Sequence, residues 1–495
     1  MPENPAWSGF SGVWAGKQRV VCYTVSMSQT ITISPVTRIE GHARISIQLD
    51  DAGQVTAARL HVQEFRGFES FCVGRPFWEM PVITARICGI CPVSHALTAA
   101  QAGERILGVD PPPAARRLRT LLSLAQLILS HSLSFFHLSA PDIVLGLDAD
   151  PRERNIVGLA RHKPELIAKG IRLRQIGQEI VNRVGGGNLQ PEFIVAGGMR
   201  APLCPEGRDV LAGLLPEALE LVRYAMNIWD AHADSFLSGM GACADFSSLF
   251  LGLVGEDGRL DYTGGRLRFV DDAGGTVRDV AAAAYGEVMR ETVSGDSYMK
   301  PTECTFGDTR LYRVGPLARL NTAPFAGAPQ AERARHAFLG GRGAVTSSLR
   351  YHQARLIEML YAVERMGAVL DDPAICDPHV LARAGVNAAE GVGVTEAPRG
   401  TLIHHYQVDE QGLLTKVNLI VATGHNSHAM DRAITDIARR HIRGGSLSEG
   451  LLNRVEHGIR LYDPCLSCAT HLHGRLGMQV ELLLPGGKVL DSASV

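Results

Sequence analysis

Four cysteines in two C-x-x-C pairs near opposite ends of the chain are the residues best suited to chemistry. The first pair lies in Arg86-Ile87-Cys88-Gly89-Ile90-Cys91-Pro92-Val93-Ser94-His95 and the second in Asp463-Pro464-Cys465-Leu466-Ser467-Cys468-Ala469-Thr470-His471. Two thiols separated by two residues can both turn onto one soft centre, because the short loop between them aims both sulfurs inward. A histidine follows the second thiol by four residues in one cluster and by three in the other. Several chemistries compete on residue type. A redox dithiol is usually a single C-x-x-C in a thioredoxin-like βαβ setting, and two copies go unexplained. A structural zinc site uses the same four thiolates. Zinc ribbons, however, separate their pairs by about 15–20 residues, and here hundreds intervene. Iron–sulfur clusters and nickel are served equally well, and ligand softness alone does not choose among these metals.

The elements between the pairs must bring them together. Ile45, Ile47 and Leu49 alternate with polar neighbours as in a strand, Asp50-Asp51-Ala52-Gly53 forms a turn, and Val55 to Phe65 reads as the returning strand. Pro111-Pro112-Pro113 opens a long helical run, and further helical patterns cover about 207–240, 330–370, 427–443 and 446–461. Gly-rich turns around short strand-like runs over 256–282 predict a β-excursion on the surface. No repeat, low-complexity tract or linker interrupts the chain. If both pairs serve one site, its two ends meet across a helical core, which predicts one compact unit over 27–471.

Composition narrows the classes. Acidic and basic residues nearly cancel, 51 against 49 in 495 residues, so no strong field invites nucleic acid or an anionic membrane. The other six cysteines (Cys22, Cys72, Cys204, Cys243, Cys304, Cys376) lie singly and far apart. They read as ordinary thiols, mostly buried, in a reducing compartment. Residues 1–26 hold Trp7, Trp14 and Lys17-Gln18-Arg19 without a continuous apolar stretch, unlike a secretory signal. They read as an extension ahead of a natural start at Met27. Leu121 to Ala140 carries no Asp, Glu, Lys or Arg and is long enough to span a bilayer. Its many Ser and His residues favour a helix buried inside protein over direct membrane insertion.

The residues around the thiols are more specific. Arg-x-Cys-Gly-x-Cys-x-x-x-His together with Asp-Pro-Cys-x-x-Cys-x-x-His resembles the large subunits of nickel–iron hydrogenases. The resemblance runs from about Thr30 over nearly the whole chain. It includes Val36-Thr37-Arg38-Ile39-Glu40-Gly41-His42, Arg66-Gly67-Phe68-Glu69 and Glu396-Ala397-Pro398-Arg399-Gly400. Gly74-Arg75-Pro76-Phe77-Trp78-Glu79-Met80 and Ser134-Phe135-Phe136-His137-Leu138 look most like the cytoplasmic NAD-reducing, bidirectional branch. The implied fold is mainly α (α+β), a central long-helix bundle with a small N-terminal β-sheet region. The implied reaction is reversible heterolytic cleavage of H2 to protons and electrons. The alternatives are the same chemistry with a deazaflavin or ferredoxin-type acceptor, or a non-catalytic subunit, either a four-cysteine zinc protein or complex I-like. Related complex I subunits share the fold but lack the four thiols.

The same resemblance implies residue roles. Cys88, Cys91, Cys465 and Cys468 would bind nickel, with Cys91 and Cys468 bridging to an iron that carries CO and cyanide. The terminal thiolate of Cys465 would receive a proton and Glu40 would carry it onward; without the motif, pairing of Glu40 with Arg38 or a helix end is the simpler reading. Arg399 would lie over the diatomic ligands with Asp463 as its ion-pair partner, a guanidinium being well suited to donate to cyanide. Thr423 would donate to the other cyanide, although Ala422 stands where proline is common. His95 would hydrogen-bond a bridging sulfur. Glu69, His471 and the Leu419 carbonyl match a buried divalent-cation site, usually magnesium. The remaining histidines, His404, His405, His425 and His428 among them, read as packing or surface residues.

The chain lacks cysteines in cluster spacing and any Gly-x-Gly-x-x-Gly opening a helix after a strand. Iron–sulfur clusters, flavin and NAD therefore belong to partners: a hydrogenase small subunit and a flavin/NAD diaphorase module. Residues 472–495 match a C-terminal tail removed by a maturation endopeptidase after nickel-insertion factors have acted.

Overall fold

Proline in the first turn and glycine just past the last set the long helices. The computed structural model describes residues 30–470 apart from 66, 188–189, 308, 326 and 443–446, together with the backbone of 479–483 and 489–494. Helix α1 (Pro92–Leu107) starts on Pro92 and stops at left-handed Gly108 (φ 66°). Helix α2 (Pro113–Ser132) starts on Pro113, and α3 (Pro164–Gly185) runs from Pro164 to left-handed Gly186. Proline needs no partner for its missing N–H at this position, and glycine takes the left-handed conformation without a steric penalty. Helix α4 (Pro205–Met240) also begins on proline. Helix α2 packs against α3 and against α7 (Tyr351–Leu370), and α7 packs in turn on α4. Because α7 buries nearly every face, it forms the centre of the bundle.

Three of the sheets among the described residues have three or more strands. The N-terminal antiparallel sheet is β1 (Thr30–Ile33), β2 (Ala43–Leu49) and β3 (Val55–Val62). A second sheet joins Tyr312–Arg313 to β4 (Leu249–Val254), β5 (Arg266–Val270) and β6 (Thr276–Ala281). The third is an antiparallel meander of β7 (Glu390–Ala397), β8 (Gly400–Val408) and β9 (Leu414–Ile420). Helix α1 lies across β7, tied by Thr98 Oγ1 to Thr395 Oγ1 at 2.6 Å and by the Val394 N–H donating to Gln101 Oε1 at 3.1 Å. Helices α8 (Ser427–His441) and α9 (Glu449–Arg460) pack together, and α8 covers β3.

Several expectations change. The strand predicted over 55–65 ends at Val62. The helical pattern over 330–370 splits into α6 (Pro329–Leu339) and α7, with α5 being Pro316–Thr322. Gly340 and Gly341, both at positive φ, break the run where periodicity alone would continue it. The β-excursion belongs to a sheet that begins earlier, at Leu249. Of the lone cysteines, Cys72, Cys243 and Cys304 are buried, Cys376 is half-buried and Cys204 is exposed, so most of those described are buried, as expected; Cys22 lies outside the described residues. The apolar helical stretch Pro113–Leu145 is long and apolar enough to cross a membrane, but 78% of its apolar window is buried in protein. Within it, Leu133–Ser139 widens into a π-helical turn, a deformation common beside functional sites. Among the tail residues, 479–483 pairs antiparallel with 489–494.

Asp142 links the two ends of the chain. Its fully buried carboxylate accepts from Arg38 Nη2 (2.6 Å), Arg460 Nη1 (2.9 Å), Asn453 Nδ2 (3.1 Å) and pairs with His457 Nδ1 (2.7 Å). Burial pushes its pKa up, but Arg460, Arg38 and His457 outweigh it and hold the group well below the ordinary carboxylate range. A depressed folded-state pKa contributes stability that is present above the ordinary range and is lost as pH falls through the lowered value. Asp142→Ala leaves buried cations without their counter-charge, so unfolding free energy at neutral pH should fall by about 3–5 kcal/mol. Denaturant titration checks this; a loss within error of zero contradicts the assigned role.

Candidate metal centre

Each pair of cysteines sits where an irregular segment enters a helix. Cys91 caps α1, with Pro92 as the first helical residue. Cys465 caps the short helix Leu466–Ala469, and its backbone N–H donates to Thr423 Oγ1 at 3.0 Å. The four sulfurs converge: Cys88 to Cys465 is 3.1 Å, Cys91 to Cys468 is 3.4 Å and Cys465 to Cys468 is 2.8 Å. All four are free thiols and buried. Hydrogen bonds from Cys465, Cys468 and Cys88 pull the Cys91 thiol well below its usual range despite burial, and His95 adds to this. Burial drives Cys465 and Cys468 upward, opposite to Cys91. A soft cation among them removes that conflict, since a coordinating thiol is deprotonated outright. Among the described residues, this is the one such grouping of metal-ligating side chains.

Glu40 comes to the same place. Its backbone bridges to Cys465, its carbonyl accepts the Leu466 N–H at 3.2 Å, and its Oε2 accepts the Ser467 N–H at 3.0 Å. Arg38 turns away to Asp142, so that pairing with Glu40 is not formed, whereas the helix-end alternative is: the Ser467 N–H that Glu40 accepts belongs to the first turn of Leu466–Ala469. Gly41 has φ 88°, and a Cβ there would lie 2.7 Å from that of Leu466, which explains why glycine follows the carboxylate. Arg38 (φ 55°) and Asp463 (φ 50°) are non-glycine residues in the left-handed region, each two positions before a site residue. Such conformations cost of order 1–2 kcal/mol and persist where the surroundings over-determine them.

Arg399 crosses over the sulfurs. Its Nε donates to the Asp463 carbonyl and its Nη1 to Ser130 Oγ at 3.0 Å. Nη2 lies 3.0 Å from Asp463 Oδ2 but off the hydrogen-bonding direction, so neither atom has a hydrogen-bond partner there. Burial opposes the Arg399 charge, yet Asp463 and the cysteines outweigh it and push its pKa up. Arg399 shares a small cavity with Cys91, Cys465, Cys468, His95 and Thr423. Larger surface clefts beside Arg116 and beside Asp431 lie away from the thiols. The small cavity is the chemically equipped one, and a diatomic ligand needs little room.

Most of the chain aligns with known proteins. Residues 66–193 and 296–471 match the family described as nickel-dependent hydrogenase, and residues 30–65 match a HoxL-like family. The chain belongs to the nickel-dependent hydrogenase family. It is 39% identical to NAD-reducing hydrogenase HoxS subunit beta of Cupriavidus necator, over 94% of this chain and 99% of that one. It is 28% identical to sulfhydrogenase 2 subunit alpha of Pyrococcus furiosus, over 89% and 98%. A crystal structure of a NAD+-reducing [NiFe]-hydrogenase in the H2-reduced state superposes with TM-score 0.85 at 42% identity, covering 91% of this chain and all of the other. The hydrogenase fold, mainly helical with small antiparallel sheets, agrees with the expected class.

Sequence reasoning missed residues that hold Arg399 and His95. Ser130 receives Arg399. His404 lies behind His95, Nε2 to Nδ1 at 3.1 Å, and continues through Nδ1 to the Tyr406 hydroxyl at 2.7 Å. Its neighbour His405 instead meets the Tyr285 hydroxyl. His425 is buried against Tyr312, while His428 approaches Glu303. Glu69, expected to hold a divalent cation, has Lys300 Nζ 3.2 Å from both of its oxygens, and that Nζ is also 3.2 Å from Glu291 Oε2. The Leu419 N–H donates to Glu69 Oε1 at 2.8 Å. Burial raises the Glu291 carboxyl to about 7, with Lys300 opposing and Glu69 adding to the rise. His471 lies outside the described residues.

Proposed function

We propose that this chain is the catalytic subunit of a cytoplasmic NAD-reducing hydrogenase. The observation that carries the reading is one buried centre in which four thiols meet Glu40 on one side and Arg399 on the other. A structural zinc site needs neither. When bound, a nickel–iron pair with carbonyl and cyanide ligands supplies the centre at which H2 is split into protons and electrons. Cys88 and Cys465 would hold nickel terminally, and Cys91 and Cys468 would bridge to iron. The unspent Arg399 Nη2 donor fits one cyanide nitrogen. The Thr423 oxygen accepts from Cys465, which leaves its hydroxyl proton for the second cyanide. His95 supports the Cys91 sulfur. A proton leaves by way of the Cys465 sulfur and the Glu40 carboxylate.

The Glu69 and Glu291 carboxylates both pair with the Lys300 ammonium, so a hard cation such as magnesium would bind here by displacing that ammonium. Glu69, the Leu419 carbonyl and His471 would hold it. Electrons pass to an iron–sulfur small subunit and on to a flavin-bearing diaphorase module that reduces NAD, the acceptor in the name of the relative from Cupriavidus necator. The unit over 27–471 is the mature catalytic body, and 472–495 is the tail that an endopeptidase removes after nickel insertion.

Spectrophotometry of the purified complex under H2 tests the acceptor. NADH formation at a rate comparable with viologen reduction is expected. Viologen reduction without NADH would retain the hydrogenase and reject the acceptor; neither activity in a nickel-loaded complex would reject both.

A further inference from the structure

The turn that carries Arg399 is held from behind by a second arginine. Arg319, fully buried on α5, uses all five of its N–H donors. Nε and Nη2 grip both oxygens of Glu358 on α7, the latter at 2.7 Å. Nη1 donates to Glu396 Oε2 at 2.8 Å and to the Ala397 carbonyl at 2.9 Å, and Nη2 donates to the Pro398 carbonyl at 2.9 Å. Both carboxylates are anchored in turn. Glu358 accepts from the Tyr262 hydroxyl at 3.0 Å and pairs with His131 Nε2 at 2.8 Å, while Glu396 accepts from the Leu253 N–H at 3.0 Å and the Thr401 hydroxyl at 2.9 Å.

The next carbonyl is held by shape. Gly315 opens α5 at φ 89°, and a Cβ there would stand 2.6 Å from the Arg399 carbonyl oxygen. Three consecutive carbonyls, of Ala397, Pro398 and Arg399, therefore press on the first turns of α5. Helix α2 ties the front and back of the turn together, because Ser130 takes Arg399 Nη1 and the adjacent His131 takes Glu358.

We propose that Arg319 is a positioning residue for the metal centre: with Glu358 and Gly315 it fixes the 397–399 turn and so aims the Arg399 guanidinium into the cavity. The proposal rests on the reading that Arg399 donates to a cyanide on the iron. A lysine keeps the positive charge between the two carboxylates, but its three donors cannot serve five acceptors. Ala397 and Pro398 then lose their donors and the turn gains freedom.

Infrared spectra of the purified holo-complex test this, with nickel content measured on the same samples. Arg319→Lys is expected to retain nickel while its cyanide bands shift and broaden, because Arg399 no longer holds one orientation. Gly315→Ala should give the same signature from the other side of the turn, and it decides the matter if Arg319→Lys does not assemble. Arg119→Lys is the control: Arg119 is buried on α2 and binds Glu104 and the Val195 and Gly198 carbonyls, away from the centre. Unshifted cyanide bands in the nickel-loaded variants, or an equal shift in Arg119→Lys, overturn the proposal. Absence of carbonyl and cyanide bands from the unmodified complex instead overturns the reading beneath it.

Discussion

Cys468→Ser is expected to abolish nickel retention and, with it, all H2-dependent electron transfer. Cys468 sits 2.8 Å from Cys465 and 3.4 Å from Cys91, so its sulfur touches both pairs. A serine oxygen is smaller, harder and remains protonated where a thiol ionises, so it is a poor ligand for a soft cation. The change removes little volume from the core, and circular dichroism and complex assembly should persist. Cys243→Ser is the matched control, because the Cys243 thiol is buried and donates to the Met240 carbonyl, outside the group of four. Nickel near stoichiometry in Cys468→Ser, measured by elemental analysis, would show that the four-thiolate centre is misassigned.

Glu40→Gln should leave the metals in place and slow turnover by roughly 10²–10⁴-fold, the usual range for removing a positioned proton carrier. The amide oxygen of glutamine still accepts the Ser467 N–H, so the local geometry survives. What disappears is the ability to take up and release a proton beside Cys465. Isotope exchange between H2 and deuterated water reads the step directly, and Glu40→Asp should recover part of the rate. A Glu40→Gln complex that exchanges at the unmodified rate means that the proton leaves by another route. Loss of nickel in the same variant would make Glu40 a structural prop instead.

The parts of the site legible in the sequence were those encoded by type and short spacing. The C-x-x-C pairs announced a soft-metal centre, and their distance along the chain required a core that folds the two ends together. Arg38 and Thr37 do this by docking on Asp142 and Glu456. The pairing of Arg399 with Asp463 followed from the motifs on either side. Contacts across hundreds of residues leave no such trace. Ser130 meets Arg399 from a helix 269 positions away, and nothing in its neighbourhood marks it. Lys300 reaches Glu69 across 231 positions, and His404 was indistinguishable from its neighbour His405, although alternation along β8 buries one and turns the other outward. Arg319 looked like an ordinary helical arginine until its five acceptors were placed around it. The helices read from proline and hydrophobic period are present, but Pro92–Leu107 and Pro164–Gly185 were not read at all, and the break at Gly340–Gly341 and the early end of β3 depend on tertiary packing.

Infrared spectroscopy of the purified complex, with metal analysis on the same sample, tests the central claim most directly. Bands from metal-bound carbon monoxide and cyanide, with nickel and iron in near-equal amounts, are the predicted result. Stoichiometric zinc with no such bands would contradict it and leave the four thiols as a structural site.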